Sequence, residues 1–207
     1  MALPAAPVAR LITGMRLSPE AFLDTWEGIP DLKHAELIDG VVYVASPISV
    51  EHGRPQHLIA GLFFNYAVRT GAEAGQDVTW AILGSIPQPD VFLRKRTGGL
   101  SRVGKKYFEG APELAVEICV TSTEYDFGPK LALYQRAGVE EYITVETLTS
   151  TITWRRLTEA GYVALPSPED GIYRSFAFPG LWFDTAAFWA EDGAGMLAAL
   201  EQGLAAS

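Results

Sequence analysis

The apolar positions of this chain repeat with two periods, and the changes between them outline its elements. Leu58, Ile59, Leu62, Phe63, Tyr66 and Ala67 recur three or four apart, which predicts an amphipathic helix over 51–69, closed by Gly71 and Gly75. Ser18-Pro19-Glu20 reads as a helix start, with Ser as N-cap, Pro at the first helical position and an acid in the first turn, so a short helix is expected over 21–26. Apolar runs at 35–37 and 41–45 flank Asp39-Gly40, the pattern of a tight β-hairpin. Strands are expected at 78–83 and 91–93, parted by the turn Pro87-Gln88-Pro89.

The run 114–120 is a strongly apolar strand holding one acid, Glu117. A polar turn over 121–126 leads into a helix over 127–137, which Gly138 caps. A buried strand is expected at 142–145, and alternation at 151–157 and 162–165 predicts a second hairpin. Pro179-Gly180 marks a turn, and an alanine-rich helix is expected over 185–204, weakened by Gly193 and Gly195. The strand–helix–strand step around 114–145 implies a right-handed parallel crossover, while the earlier strands suit antiparallel pairing. The fold class is therefore α/β (α+β), a mixed central sheet flanked by helices, with an N-terminal hairpin and a C-terminal hairpin and helix. No repeat or linker splits the chain, so a flexible tail over 1–17 and a single domain over 18–207 are expected.

Composition narrows the setting. Apolar residues make up 48% of 207, enough for a sizeable core, and no apolar run approaches the roughly 18 residues of a membrane span. The N-terminal residues lack the pattern of a secretion signal, and the single cysteine, Cys119, excludes an internal disulfide framework; both fit a cytoplasmic protein. A net charge of −9 argues against a generic nucleic-acid binder, whose affinity comes from neutralising phosphates. The charge is uneven, however. Arg94, Lys95, Arg96, Arg102, Lys105 and Lys106 fall within thirteen positions that hold no acid, so this loop either meets a phosphate backbone or is simply solvated.

Glu117 is the first candidate for chemistry, because a carboxylate inside an apolar strand must be neutralised, paired or metal-bound. Asp90 opens the preceding strand behind Pro89. Alone, Pro-Asp is a common turn pair. Together the two acids sit on neighbouring strands and converge on one spot, an arrangement of oxygen donors that suits Mg²⁺. Glu36, before the Asp-Gly turn, His52, at the start of the long helix, and Lys130, early in the helix after the Glu117 strand, are further candidates; each is also an ordinary surface residue of its element. The three histidines have no metal-ligand spacing, and Cys119 in its buried strand reads as inert.

In their order and spacing, several motifs resemble the Uma-two family of bacterial endonucleases. They are Ala35-Glu36-Leu37-Ile38-Asp39-Gly40, Ser46-Pro47 before the helix with His52, Gln88-Pro89-Asp90-Val91, Leu114-Ala115-Val116-Glu117-Ile118, the run 130–142 and Phe178-Pro179-Gly180-Leu181. That family belongs to the PD-(D/E)xK, restriction-endonuclease-like superfamily. The resemblance implies that Asp90 and Glu117 are metal ligands with the backbone carbonyl of Ile118 as a third, that Glu36 completes the catalytic set, and that His52 supports it. The lysine expected two residues after Glu117 is Cys119 here, and the resemblance implies that Lys130, from the next helix, substitutes. Where the family often has Tyr-Trp, an apolar pair and Asp, this chain has Tyr142-Ile143-Thr144-Val145-Glu146.

The leading expectation is a Mg²⁺- or Mn²⁺-dependent endonuclease acting on nucleic acid, preferentially DNA, with the 94–106 loop on the backbone. Two alternatives stay open: a silent nucleic-acid- or protein-binding module of the same fold, and a hydrolase of a small phosphate ester. Trp182, Phe183 and Trp189 suit either a homodimer interface or ordinary core.

Overall fold

The structure, a computed structural model, describes residues 10–120 and 126–207, with the side chains of all of these except Asp126 and Phe127. Residues 1–9 of the tail expected over 1–17, and 121–125 of the turn expected over 121–126, lie outside the described residues. Residues 10–17 are not a tail: the Gly14 and Leu17 N–H groups donate to carbonyls of Val42 and Gly40, Val42 N–H donates back to Met15, and Leu11 is buried.

Helix α1 (Pro19–Glu27) starts as its sequence dictates, with the Ser18 hydroxyl accepting from Ala21 N–H at 3.2 Å. Strands β1 (Ala35–Ile38) and β2 (Val41–Val44) form the hairpin around Asp39 and Gly40, which both take positive φ. Helix α2 (Val50–Thr70) ends at Gly71, also left-handed. Gly75 does not help to close it. It lies within β3 (Glu73–Gln76), where a Cβ would stand 2.5 Å from the Phe92 ring, so close packing rather than a turn requires the glycine.

The 78–83 strand shortens to β4 (Trp80–Ala81), and β5 (Val91–Arg94) follows. The basic segment is not an open loop. It contains β6 (Ser101–Val103) and leads into β7 (Phe108–Gly110), which with β4 form a small three-stranded sheet. The apolar strand is β8 (Leu114–Cys119). A π-helical turn (Asp126–Lys130) then runs into α3 (Leu131–Ala137). Next come β9 (Glu141–Glu146), β10 (Thr151–Thr158), β11 (Gly161–Ala164) and a short hairpin of β12 (Ile172–Arg174) with β13 (Trp182–Asp184). The single C-terminal helix expected from the sequence is two, α4 (Thr185–Trp189) and α5 (Gly193–Ala206). Glu191 at φ 54° breaks the run, and Asp192 restarts it by accepting from Gly195 N–H at 3.0 Å.

The main sheet has the order β11-β10-β9-β8-β5-β3, with β8 and β9 parallel and the other neighbours antiparallel. Its two faces are both covered, and β8 shows why its sequence is apolar throughout. Leu114, Val116 and Ile118 pack with Ile59, Leu62 and Phe63 of α2 and with Phe183, Phe188 and Leu200. Ala115 points the other way, into a cluster with Trp80, Leu133 and Tyr134. Phe183 is buried in the first cluster and Trp189 packs against it, so these two serve the core. Trp182 is half-buried beneath the Arg174 guanidinium.

Candidate active site

Strand register brings the two acids together. In the β5–β8 ladder Val91 stands opposite Val116, and one further step sets Asp90 opposite Glu117. Because side chains alternate across a strand, Val91 and Val116 face α2 while Asp90 and Glu117 share the other face. Asp90 is fixed from two sides: its Oδ2 accepts from Ile118 N–H at 2.6 Å, and His52 Nε2 lies 3.2 Å from its Oδ1. The buried amide of Gln56, one turn along α2 from His52, donates to the Asp90 carbonyl at 3.1 Å and to Asp77 Oδ1 at 2.9 Å.

Glu117 is only 2% exposed. The Tyr134 hydroxyl donates to its Oε1 at 3.0 Å, and Lys130 Nζ lies 2.8 Å from its Oε2. The same ammonium lies 3.0 Å from Glu36 Oε1, which also accepts from Gln88 N–H at 2.6 Å. Lys130 closes the π-helical turn and Tyr134 follows four residues later, so one helical face carries both groups to Glu117. Turns of this kind recur at functional sites because they re-aim side chains locally. Burial, reinforced by the neighbouring Glu117 charge, holds the Tyr134 phenol well above its ordinary pKa, so it remains a donor. Burial also raises the pKa of Asp77, and the charge of Asp90 adds to the effect; the bond from Gln56 opposes it.

Among the described residues two other acids are buried at the sheet, and comparison with them separates framework from site. Glu113 accepts the N–H groups of Lys95 and Leu100 at 2.6 and 2.7 Å. Glu141 accepts from Trp154 Nε1, the Ser175 hydroxyl and the N–H groups of Phe176 and Ala177. Both carboxylates stitch loops to the sheet. Glu117 differs, because its partners include an ammonium and a phenol and it borders an open pocket. That pocket, about 430 Å³, is lined by Glu36, His52, Asp90, Glu117, Ile118 and Lys130, so the structure brings these six sequence candidates to one place. Residues 43–49 form its outer wall, and Thr13, His34, Ala35, Asp77, Gln88 and Val120 also line it.

The basic residues are elsewhere. Asp90 precedes β5 and the basic segment follows it, so the segment leaves from the opposite end of the strand. Arg94 is 3% exposed, paired with Glu73 and bonded to Ser101, and its guanidinium lies over the Phe108 ring. It holds the sheet and does not present a charge to solvent, contrary to the expectation that it meets phosphate. Lys95 pairs with Glu140, Arg96 with Glu73, Arg102 with Glu109 and Lys106 with Glu27. Only Lys105 of the six is without an acid partner among the described residues. The sequence run contains no acid, but the fold supplies acids from β3, β7, α1 and the residue before β9.

A family model described as "Putative restriction endonuclease", Uma2, matches residues 19–186. The chain belongs to the Uma2 family. Among solved structures, a protein from Anabaena variabilis described as "a putative nuclease belonging to DUF820" is similar, with a TM-score of 0.68 at 12% sequence identity. The match covers 84% of this chain and 98% of that one, and at this identity it shows a shared fold. No curated protein matches. The Uma2 model spans every residue of the pocket's polar floor, from Glu36 to Lys130.

The donors of this Uma2 site suit a hard divalent cation held loosely. The candidates are oxygens, the carboxylates of Asp90 and Glu117 and, as expected from the sequence, the carbonyl of Ile118, all from residues that line the pocket. No group of three or more His, Cys, Asp or Glu side chains that could hold a metal occurs among the described residues. Mg²⁺ tolerates such a sparse set, since it keeps waters and takes further ligands from substrate phosphate. Sequence reading missed Tyr134, Gln56, Asp77 and Gln88. The spacing of Lys130 and Tyr134 on one helix carried a signal for the first; the others are aligned only by tertiary contacts. Among the described residues no helix is long and apolar enough to cross a membrane.

Proposed function

We propose that this Uma2-family chain is a metal-dependent phosphodiesterase that cuts nucleic acid, with Mg²⁺ or Mn²⁺ as its cofactor. The observation that carries the reading is the pairing of Asp90 with Glu117 across β5 and β8 at an open pocket, with Lys130 Nζ 2.8 Å from Glu117. Asp90, Glu117 and the Ile118 carbonyl would hold the ion. When bound, it lowers the pKa of an attacking water and offsets charge on the phosphate.

The chain's own groups do the rest. Ile118 N–H and His52 orient the Asp90 carboxylate, and Tyr134 orients Glu117. Lys130 holds a cationic ammonium between two carboxylates at the pocket floor, where it would position the attacking water and stabilise negative charge developing on the phosphoryl oxygens. Glu36 keeps that ammonium in place and is itself fixed by Gln88 N–H. Low effective dielectric at so buried a position strengthens each of these interactions.

The test is cleavage of labelled DNA and RNA with Mn²⁺ or Mg²⁺, beside Mn²⁺ titration by calorimetry, for wild type, Asp90→Asn and Glu117→Gln. Metal-dependent cleavage and Mn²⁺ binding, both lost in the two variants, are expected. Wild type and variants behaving alike in both assays would overturn the reading.

A further inference from the structure

We infer that the site accepts an unpaired nucleotide, in a single strand or a flap, and excludes an intact duplex; this rests on the phosphodiesterase reading above. Three observations carry it. The first is depth. The side chains of Lys130 and Glu117 are each 3% exposed, and those of Glu36 and Asp90 are 15% and 16%. A phosphate on the outside of a rigid duplex cannot descend to groups so enclosed, whereas one nucleotide on a flexible strand can.

The second is size. The pocket of about 430 Å³ lies within the range of roughly 300–1,000 Å³ that suits one small organic ligand. Part of its outer wall is apolar, formed by Val44, Pro47 and Ile48, with the phenol ring of Tyr43 beside them. Such a wall matches the face of a base or a sugar better than it matches phosphate.

The third is charge. A duplex carries about one charge per 1.7 Å of axis, and proteins bind it by neutralising several phosphates with Lys and Arg. The pocket lining contains one such residue, Lys130, and it is engaged by Glu36 and Glu117. The basic segment leaves from the other end of β5, and four of its members besides Arg94 pair with acids. A strand that enters singly needs fewer cations and gains from contact with the wall, and extracting a base costs least where it is already unpaired.

The experiment uses the full chain and three labelled substrates of one sequence: a single-stranded oligonucleotide, a blunt duplex, and a duplex with an unpaired flap. Cleavage is followed in Mn²⁺, and binding by fluorescence anisotropy in Ca²⁺. Single strand and flap are expected to be cut at least about tenfold faster than blunt duplex, with cuts confined to the unpaired arm. Binding of the single strand should fall about tenfold in Ile48→Asp, whose side chain sits on the exposed part of the wall, while calorimetric Mn²⁺ affinity stays unchanged. The logarithmic salt dependence of that binding should be shallow, with a slope below about 2. Duplex cut or bound as well as single strand, or Ile48→Asp without effect on single-strand binding, would overturn this inference alone. No cleavage of any substrate, together with no Mn²⁺ binding, would overturn the phosphodiesterase reading itself.

Discussion

Replacing Lys130 by Met removes the cation that lies 2.8 Å from Glu117 Oε2 and 3.0 Å from Glu36 Oε1. The side chain of Met fills similar volume, so the change is mainly one of charge. Lys130 is 3% exposed, and water can do little to screen the Glu117 carboxylate left behind, though it reaches part of Glu36. Removing one partner of a buried ion pair typically costs about 3–5 kcal/mol, because the remaining charge stays desolvated. At about 2–4 °C per kcal/mol for a chain of this size, the thermal midpoint should fall by roughly 6–20 °C.

A second variant separates charge from packing. In Lys130→Met/Glu117→Gln one carboxylate is neutral and Tyr134 can still donate to the amide oxygen, so about half of the lost stability should return. Urea unfolding followed by circular dichroism measures both, with an unchanged m-value confirming that the denatured state is not the cause. A loss below about 1 kcal/mol in the single variant, or a double variant no more stable than the single, would refute the claim that Lys130 acts as the counter-ion of buried Glu117 and partly buried Glu36.

Other outcomes follow from neighbouring contacts. Tyr134→Phe removes the donor to Glu117 Oε1; it should cost about 1 kcal/mol of stability and weaken Mn²⁺ binding about tenfold or more by calorimetry, since groups that orient a metal ligand matter nearly as much as the ligand. Asp77→Asn keeps the acceptor for Gln56 and tolerates the left-handed backbone at φ 53°, while removing a carboxylate whose folded pKa is raised by burial. The penalty of ionising Asp77 is absent below its unfolded pKa and present above its folded one, so the variant should gain a few tenths of a kcal/mol at neutral pH and nothing in acid below the carboxylate range, as urea unfolding across pH would report. Glu141→Ala orphans Trp154 Nε1, the Ser175 hydroxyl and two backbone N–H groups, and should destabilise by about 3–5 kcal/mol while Mn²⁺ affinity of the folded protein is unchanged.

Elements with a strong period were legible in the sequence. The Asp39-Gly40 hairpin, α2 and the apolar strand carrying Glu117 lie close to where the patterns place them, because burial on one or both faces dictates their residues. The β6–β7 pair was not legible: its strands are three residues long, rich in charge and partly exposed, so no alternation marks them. The break at Glu191 was hidden because alanine-rich sequence continues across it, and the glycines noted as weak points begin the second helix. Gly75 read as a helix stop, since nothing in sequence reveals the Phe92 ring above it.

For the site, a carboxylate within an apolar strand was a sound signal of a buried partner but not of function. Glu117 and Glu141 are both buried in strands of the sheet, and their partners tell them apart, those of Glu117 including an ammonium and a phenol, those of Glu141 being hydroxyl, indole and backbone donors. The charge of the 94–106 segment misled because all its neutralising acids lie outside it, most of them distant in sequence, Glu27 and Glu73 on one side and Glu140 on the other, with Glu109 just past its end.

The most direct test of the central claim is anomalous diffraction from crystals of the wild-type chain soaked in Mn²⁺. One peak is expected at bonding distance from carboxylate oxygens of both Asp90 and Glu117, and it should be lost in Glu117→Gln crystals. No peak there, or a peak unchanged in the variant, would contradict that claim.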